Sequence, residues 1–223
     1  MFNETLMLEI RDKFHHVDNC PFQGERIFFE NAGGALTLKT VAETSGRMAA
    51  IPDNQGRNNP ASEKLVEIID QAKQDMHEFL GTSSGVVFVG ESGTELLFRL
   101  IRTAVVGNQS GSDEAGMILG STLEHPATTS ACSYWADKTG LEYVSIAHNN
   151  STGTVTVADY QAQVTPQTRV ATIIHTSPVT GMSVDVKAIA ACIRAVSPDC
   201  FIIVDGIQPV SYTHLTLPTI LLV

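Results

Sequence analysis

The 223-residue chain contains 43% hydrophobic and 17% charged residues, a balance that excludes a disordered protein and predicts a globular one with an ample core. Its net charge of −10 argues against nucleic acid and anionic membranes as partners. No apolar run approaches the length of a transmembrane span, and the N-terminus has no signal-peptide pattern.

Helical and strand-like patterns alternate along the chain. Helical spacing of apolar residues predicts helices over 4–14, 41–50, 62–79, 94–105, 127–135, 158–164 and 186–194. Short apolar runs predict strands over 26–30, 86–89, 115–120, 141–146, 154–157, 170–174 and 201–204. Ser62 is a candidate N-cap of the third helix, and Gly81 a candidate stop. The alternation predicts a doubly wound α/β sheet.

The clearest unit is a strand, a helix and a strand between Arg169 and Gln208. Its two strands should lie parallel with a right-handed crossover, and both are apolar without alternation, as in a sheet covered on both faces. Ligands bind such sheets beyond the carboxyl ends of the strands, where Asp205 and Gln208 fall. An Asp at a strand end is also an ordinary turn residue, so the position alone leaves both interpretations open.

Three other stretches are candidate sites on weaker patterns. Asn31–Ala35 (NAGGA) would let a ligand approach the backbone closely, although the motif alone favours an ordinary glycine turn. Gly90–Glu95 leads from a predicted strand into a helix and offers backbone N–H groups to a phosphate, without a Walker A or GxGxxG pattern. His125 follows another strand, where a histidine is more often a surface or capping residue than a catalyst.

The sequence TIIHTSPVTGMSVDVKAIAACIRAVSPDCFIIVDGIQ resembles the core of class V aminotransferases, the pyridoxal-phosphate (PLP) enzymes that include cysteine desulfurases. Their pattern is a strand ending in H-x-S-N-x-x-G, a helix, and a strand ending in V-D-G-x-Q. The resemblance extends over 26–208 and implies the large domain of a fold-type-I PLP-transferase, an α/β/α sandwich with a mostly parallel sheet. It also implies an amino-acid substrate and a homodimer in the intact parent.

The resemblance assigns a role to each candidate residue. Asp205 would pair with the protonated pyridine nitrogen of PLP, and Gln208 would bond the ring hydroxyl oxygen. His125 would stack on the ring and move protons at the substrate carbon. Gly93 and Thr94 would hold the phosphate. The NAGGA segment would lie near the substrate, which makes candidates of Asn31 and Gly33.

Three departures from the family pattern stand out. Pro178 replaces the Asn of H-x-S-N, and Thr128 replaces the Asn of the E-H-x-A-N turn. The family also needs a lysine that forms a Schiff base with PLP, in an S-x-H-K-like motif after the V-D-G-x-Q segment. The six lysines all precede Asp205 and none lies in such a motif: Lys13, Lys39, Lys64, Lys73, Lys138 and Lys187. We therefore expect the chain as given to be inactive.

Residues 210–219, VSYTHLTLPT, correspond to the translation of a transposon-end sequencing adapter. We accordingly predict an N-terminal helical segment over 1–25, a PLP-binding large domain over 26–209 that is incomplete at its C-terminus, and a non-native tail over 210–223. A natural β-rich tail is the alternative, since 215–223 has a strand-like composition.

Four cysteines lack CxxC and Cys/His metal spacing, which favours reduced thiols in a cytoplasmic protein and no metal site. The sequence thus predicts a fragment of a PLP-dependent enzyme, cysteine desulfurase-like or a related aminotransferase or lyase. The alternative is a non-catalytic binding or structural protein that kept the fold. A Rossmann nucleotide-binding enzyme is excluded, because no strand is followed by GxGxxG.

Overall fold

The computed structural model describes residues 3–29, 34–51, 56–107 and 116–208, with the backbone of 221–222. The helices are α1 (Glu4–Asp12), α2 (Lys39–Ala49), α3 (Pro60–Phe79), α4 (Gly93–Gly107), α5 (Pro126–Thr139), α6 (Val157–Gln163) and α7 (Val186–Val196). The strands are β1 (Asn19–Cys20), β2 (Gly24–Glu25), β3 (Met117–Ser121), β4 (Glu142–Ile146), β5 (Thr168–Ile174), β6 (Phe201–Asp205) and β7 (Leu221–Leu222).

The chain forms two compact units, Met1–Ala72 and Lys73–Val223. The sequence-based boundaries after residues 25 and 209 stay predictions. No described helix is both long and apolar enough to cross a bilayer.

The first unit contains α1, the antiparallel pair β1–β2, α2 and the start of α3. The N-cap of α3 is Asn59, whose side-chain oxygen accepts the backbone N–H groups of Ala61 and Ser62, each at 3.0 Å. The predicted cap at Ser62 is therefore wrong, because this residue already lies inside the first turn, where it is buried. Gly81 follows the helix with a φ of 63°, as expected for a residue that ends one.

The second unit is built on a sheet of strand order β4-β3-β5-β6-β7, in which every pair is parallel. The predicted strand–helix–strand unit is confirmed: β5 pairs with β6 in register from Val170 opposite Phe201 to Ile174 opposite Asp205. Helices cover the sheet on both sides, so the predicted α/β sandwich is also confirmed.

One apolar cluster lies on each face of the sheet. On one face, α6 and α7 pack against Leu119, Ile173 and Val204. On the other, α4 and α5 pack against Ile118, Val170 and Ile203. Since side chains alternate along a strand, Asp205 belongs to the same face as Ile203, the face that α4 and α5 cover.

Three predicted strands are absent from the described residues. Residues 26–29 and 86–89 have no strand assignment, and most of their apolar side chains, such as Phe29 and Phe88, are exposed. Of 154–157, only Thr154 forms an isolated bridge, with Asn149, and α6 already begins at Val157. A strand needs a hydrogen-bonding neighbour as well as β-branched residues, and composition reports only the second requirement.

Candidate active site

The carboxyl ends of three adjacent strands meet at one edge of the sheet. β3 ends at Ser121, β5 at Ile174 and β6 at Asp205. The turn with His125 follows β3, and a loop beginning at His175 follows β5. The fold therefore gathers distant segments at the edge where parallel sheets bind ligands.

Asp205 is nearly buried, with 4% of its surface exposed. Its Oδ1 accepts the Ile207 N–H at 3.1 Å, and its main-chain oxygen accepts the His175 N–H at 2.9 Å. Burial raises the pKa of Asp205. The Ile207 hydrogen bond, the field of His125 and the Thr128 hydroxyl lower this pKa, but burial has the larger effect.

His125 is the N-cap of α5, with Pro126 at the first helical position. Its Nδ1 accepts the Ala127 N–H at 3.1 Å, so the side chain is tied to the helix that it begins. The ring is exposed at the edge of the sheet, and its field reaches Asp205. An oriented imidazole that faces outward is suited to contact a planar ligand lying over Asp205.

The start of α4 also approaches Asp205. A Cβ added to Gly93 would lie 2.4 Å from Cδ1 of Ile207, two residues after Asp205, and one added to Gly90 would lie 2.4 Å from Oε2 of Glu95. Both positions therefore suit glycine, because the chain passes close to other atoms there.

The first turn of α4 presents backbone N–H groups and the positive end of the helix dipole, which favour an anion. Thr94 lies exposed in that turn. A buried carboxylate nearby, at Asp205, favours a cation. PLP carries a phosphate and a protonated ring nitrogen, so the glycine-lined helix start, the exposed imidazole of His125 and the buried carboxylate fit this cofactor.

Two of the predicted site residues, Asn31 and Gly33, lie outside the described residues. Gln208 follows the Asp205 turn and is half-buried, three positions beyond the strand end. The structure thus brings Gly93, Asp205 and the His125 ring together at one edge. Of the NAGGA segment, only Gly34 and Ala35 are among the described residues.

The loop after β5, which carries the Pro178 departure, is tied to the site by Ser177. The hydroxyl of Ser177 donates to the Leu123 oxygen at 3.2 Å and accepts the N–H groups of Val179 and Thr180 at 3.2 and 3.3 Å. Pro178 therefore sits in a loop held by its neighbours and anchored to the turn that precedes His125.

Two lysines of the second unit lie on helices that pack on the sheet. Lys138 is in the last turn of α5, at the opposite end of that helix from His125. Lys187 is in the first turn of α7, on the other face of the sheet. No group of His, Cys, Asp or Glu in the described ranges is arranged to hold a metal ion.

Sequence reasoning missed Glu124 as a site residue. Its carboxyl group is 4% exposed and lies beneath the same edge, where Oε1 accepts the Ile174 N–H at 3.1 Å and the Ser121 hydroxyl at 3.3 Å. A charged residue beside an exposed histidine at a strand end looks like a surface residue in the sequence. Two signals were available: the adjacent apolar Leu123, and the position of Glu124 as the first residue of the E-H-x-A-N-like turn.

The comparisons with known proteins agree with this architecture. Residues 7–220 match the family Aminotransferase class-V. The chain is 28% identical over 192 residues to a probable cysteine desulfurase of Mycoplasma genitalium, covering 83% of this chain and 45% of that protein. It is 27% identical over 195 residues to the cysteine desulfurase-like protein ustD of Aspergillus flavus, covering 85% and 43%. The chain thus spans less than half the length of these relatives.

Solved structures show the same fold. A NIFS-like protein superposes with a TM-score of 0.75 at 17% identity, covering 82% of this chain and 49% of that one. A C-DES variant with glycine covalently linked to its PLP cofactor superposes with a TM-score of 0.70 at 18% identity, covering 95% and 54%.

Proposed function

Because this chain belongs to the class V aminotransferase family, we propose that it is the cofactor-binding part of a PLP-dependent enzyme that acts on amino acids, with chemistry related to that of cysteine desulfurases. One observation carries the proposal. A buried carboxylate, Asp205, lies beside the outward-facing His125 ring and against the glycine-lined start of α4.

The family and its relatives identify the cofactor as PLP. Gly93 and Thr94 would hold its phosphate at the start of α4, and His125 would lie on its ring. Asp205 would bind the pyridine nitrogen, with Gln208 on the ring hydroxyl oxygen. Asn31 and Gly33 stay candidates for substrate contact.

Bound PLP supplies an electron sink for a carbanion at the substrate Cα. Asp205 would keep the ring nitrogen protonated, since a buried carboxylate favours a proton on a nitrogen beside it. The Ile207 N–H fixes the orientation of that carboxylate. His125 would hold the ring and could move a proton at the substrate Cα.

We further propose that the 223-residue chain binds PLP without turning over amino acids. Lys138 is at the opposite end of α5 from His125, Lys187 is on the helix that covers the other face of the sheet, and none of the six lysines belongs to an S-x-H-K-like motif. Cysteine turnover by the chain should therefore equal that of free PLP.

The test is titration of the purified chain with PLP, followed by borohydride reduction and peptide mass mapping. We expect saturable binding and no stoichiometric lysine adduct. Absence of saturable binding would contradict the proposed cofactor site. A single full adduct at any of the six lysines, together with amino-acid turnover, would contradict the inactivity.

The alternative is a non-catalytic protein that keeps the fold, and Pro178 favours it because the family has Asn there. Failure of PLP binding would favour this alternative.

Several expectations about partners and location stay predictions. They are homodimerisation, an amino-acid ligand, a cytoplasmic location and the absence of nucleic-acid and membrane partners. The four cysteines are unpaired, in agreement with a reducing compartment.

A further inference from the structure

One side chain holds the ends of two neighbouring strands below the candidate site. Oε1 of Glu124 accepts the N–H of Ile174, the last residue of β5, and the hydroxyl of Ser121, the last residue of β3. Glu124 also immediately precedes His125. The carboxyl group therefore links the position of the His125 turn to β3 and β5, of which β5 lies beside β6.

The other oxygen of Glu124 has a different environment. Oε2 is buried and has no hydrogen-bond partner within the described residues. The titratable groups around it are Asp205 on β6, Cys132 on α5, Tyr143 on β4 and Tyr160 on α6, none of which is cationic. A negative charge on Oε2 would be neither solvated nor paired, which is costly in a protein interior.

The neighbouring Asp205 is better placed to carry a charge. It accepts the Ile207 N–H and lies within the field of His125, which favours its ionised form. Glu124 is hydrogen-bonded to Ile174, the register partner of Asp205, and the two carboxyl groups interact electrostatically. Two interacting buried carboxylates cannot both ionise readily, so the pair should keep one proton at neutral pH. Burial, and then the charge of Asp205, raise the pKa of Glu124 to about 8.

We propose that Glu124 is a positioning residue that acts as a neutral carboxylic acid: it ties the ends of β3 and β5 beneath His125 and leaves the negative charge of the pair on Asp205. This role rests on the proposed function, since its benefit is a single negative charge opposite a protonated ring nitrogen. The protonation itself concerns the chain without cofactor and is measured there.

The first experiment follows the unfolding temperature of the cofactor-free chain from pH 6 to 9, for the wild type and Glu124→Gln. An acid whose folded pKa is raised contributes stability that is lost as pH rises through that pKa. We expect the wild type to lose roughly 5 °C relative to Glu124→Gln over this range. Glu142→Gln, at an exposed glutamate on β4, is the control and should run parallel to the wild type. Equal pH dependence in the wild type and Glu124→Gln would overturn the proposal.

A second measurement needs only the wild-type chain, in case the variant fails to fold. Infrared difference spectra at neutral pH should contain the C=O band of a protonated carboxylic acid, which disappears as pH rises to 9. A spectrum with only carboxylate bands at pH 6.5 would overturn the proposal.

A third arm tests positioning with PLP as the probe. Glu124→Leu removes the acceptor of the Ile174 N–H, and we expect PLP affinity to fall by about tenfold or more, because an unpaired buried donor disturbs the strand ends below His125. Glu124→Gln keeps a neutral acceptor and should restore most of that loss. Equal affinity of both variants would overturn the positioning role. If the wild type fails to bind PLP, the proposed function fails, whereas the cofactor-free titration still decides the protonation of Glu124.

Discussion

The side chains buried on the two faces of the parallel sheet differ in polarity. Between the sheet and α6–α7, apolar side chains such as Leu119, Ile173 and Ile189 are fully buried. On the α4–α5 face, the apolar packing gives way to polar groups towards the carboxyl edge. These groups are Thr128, Tyr143, Thr172 and Asp205, all beside Gly120 or the start of α5.

Several of these polar atoms are buried without a hydrogen-bond partner in the described part of the chain, including Thr128 Oγ1, Tyr143 OH and Thr172 Oγ1. Unpaired buried polar groups reduce stability, so a fold selected for stability alone would not collect them. The apolar face stabilises the fold, and the polar edge of the other face forms the candidate site. Substitutions on the two faces should therefore differ in kind.

The largest effect should come from the apolar face. Ile189→Ala removes a fully buried side chain of α7, and we expect the free energy of unfolding to fall by about 2–5 kcal/mol. Urea denaturation measures this change. Leu8→Ala, at an exposed position of α1, is the matched control and should change stability by less than about 0.5 kcal/mol. Similar losses for the two variants would show that the α6–α7 face is not a packed core.

The next effect should appear in cofactor affinity. Asp205→Asn replaces a charge-assisted contact worth about 1.5–3 kcal/mol, so PLP affinity should fall by about 10- to 100-fold. In a complete enzyme, activity should fall further, because Asn does not keep the ring nitrogen protonated. Asp199→Asn, an exposed residue before β6, is the control in a PLP titration. Unchanged affinity in Asp205→Asn would remove this residue from the site.

A smaller effect is expected at the start of α4. A Cβ at residue 93 would meet Cδ1 of Ile207, so Gly93→Ala should weaken PLP binding by roughly tenfold, or about 1.4 kcal/mol. Adding Ile207→Ala removes the clashing atom and should recover part of the affinity. Gly46→Ala, in the interior of α2 with open space around it, should leave PLP binding unchanged. No recovery in the double variant would contradict the steric explanation.

The smallest effect should come from Thr172 of β5, for which another threonine of the same strand is the comparison. Thr172→Val removes a buried hydroxyl without a hydrogen bond, and we expect unfolding free energy to change by less than about 0.5 kcal/mol. Thr168→Val removes a hydroxyl that accepts the Thr165 N–H at 3.0 Å, and should cost about 1–3 kcal/mol. Chemical denaturation of both variants makes the comparison. A larger loss at Thr172 would show that its hydroxyl has a stabilising partner.

Much of the second unit could be predicted from the sequence, because its signals are local. The apolar runs of β5 and β6 and the helical spacing between them predict a parallel pair, and the position of Asp205 at the carboxyl edge follows from that topology. The start of α4 was predicted to within one residue from Thr94. Hydrophobic periodicity indicates which side of a segment is buried. In these segments, contacts with distant residues do not change the predicted secondary structure.

Contacts between distant segments were decided only by the tertiary structure. Residues 86–89 have strand composition, yet they have no strand assignment in the described structure, because pairing depends on a neighbour. Glu124 precedes an exposed histidine, yet it is buried, because its carboxyl group accepts the N–H of Ile174, fifty residues further along the chain. The sequence alone determined which residues reach the carboxyl edge, and the folded chain determined which are buried there, because burial and charge depend on neighbours that local pattern does not identify.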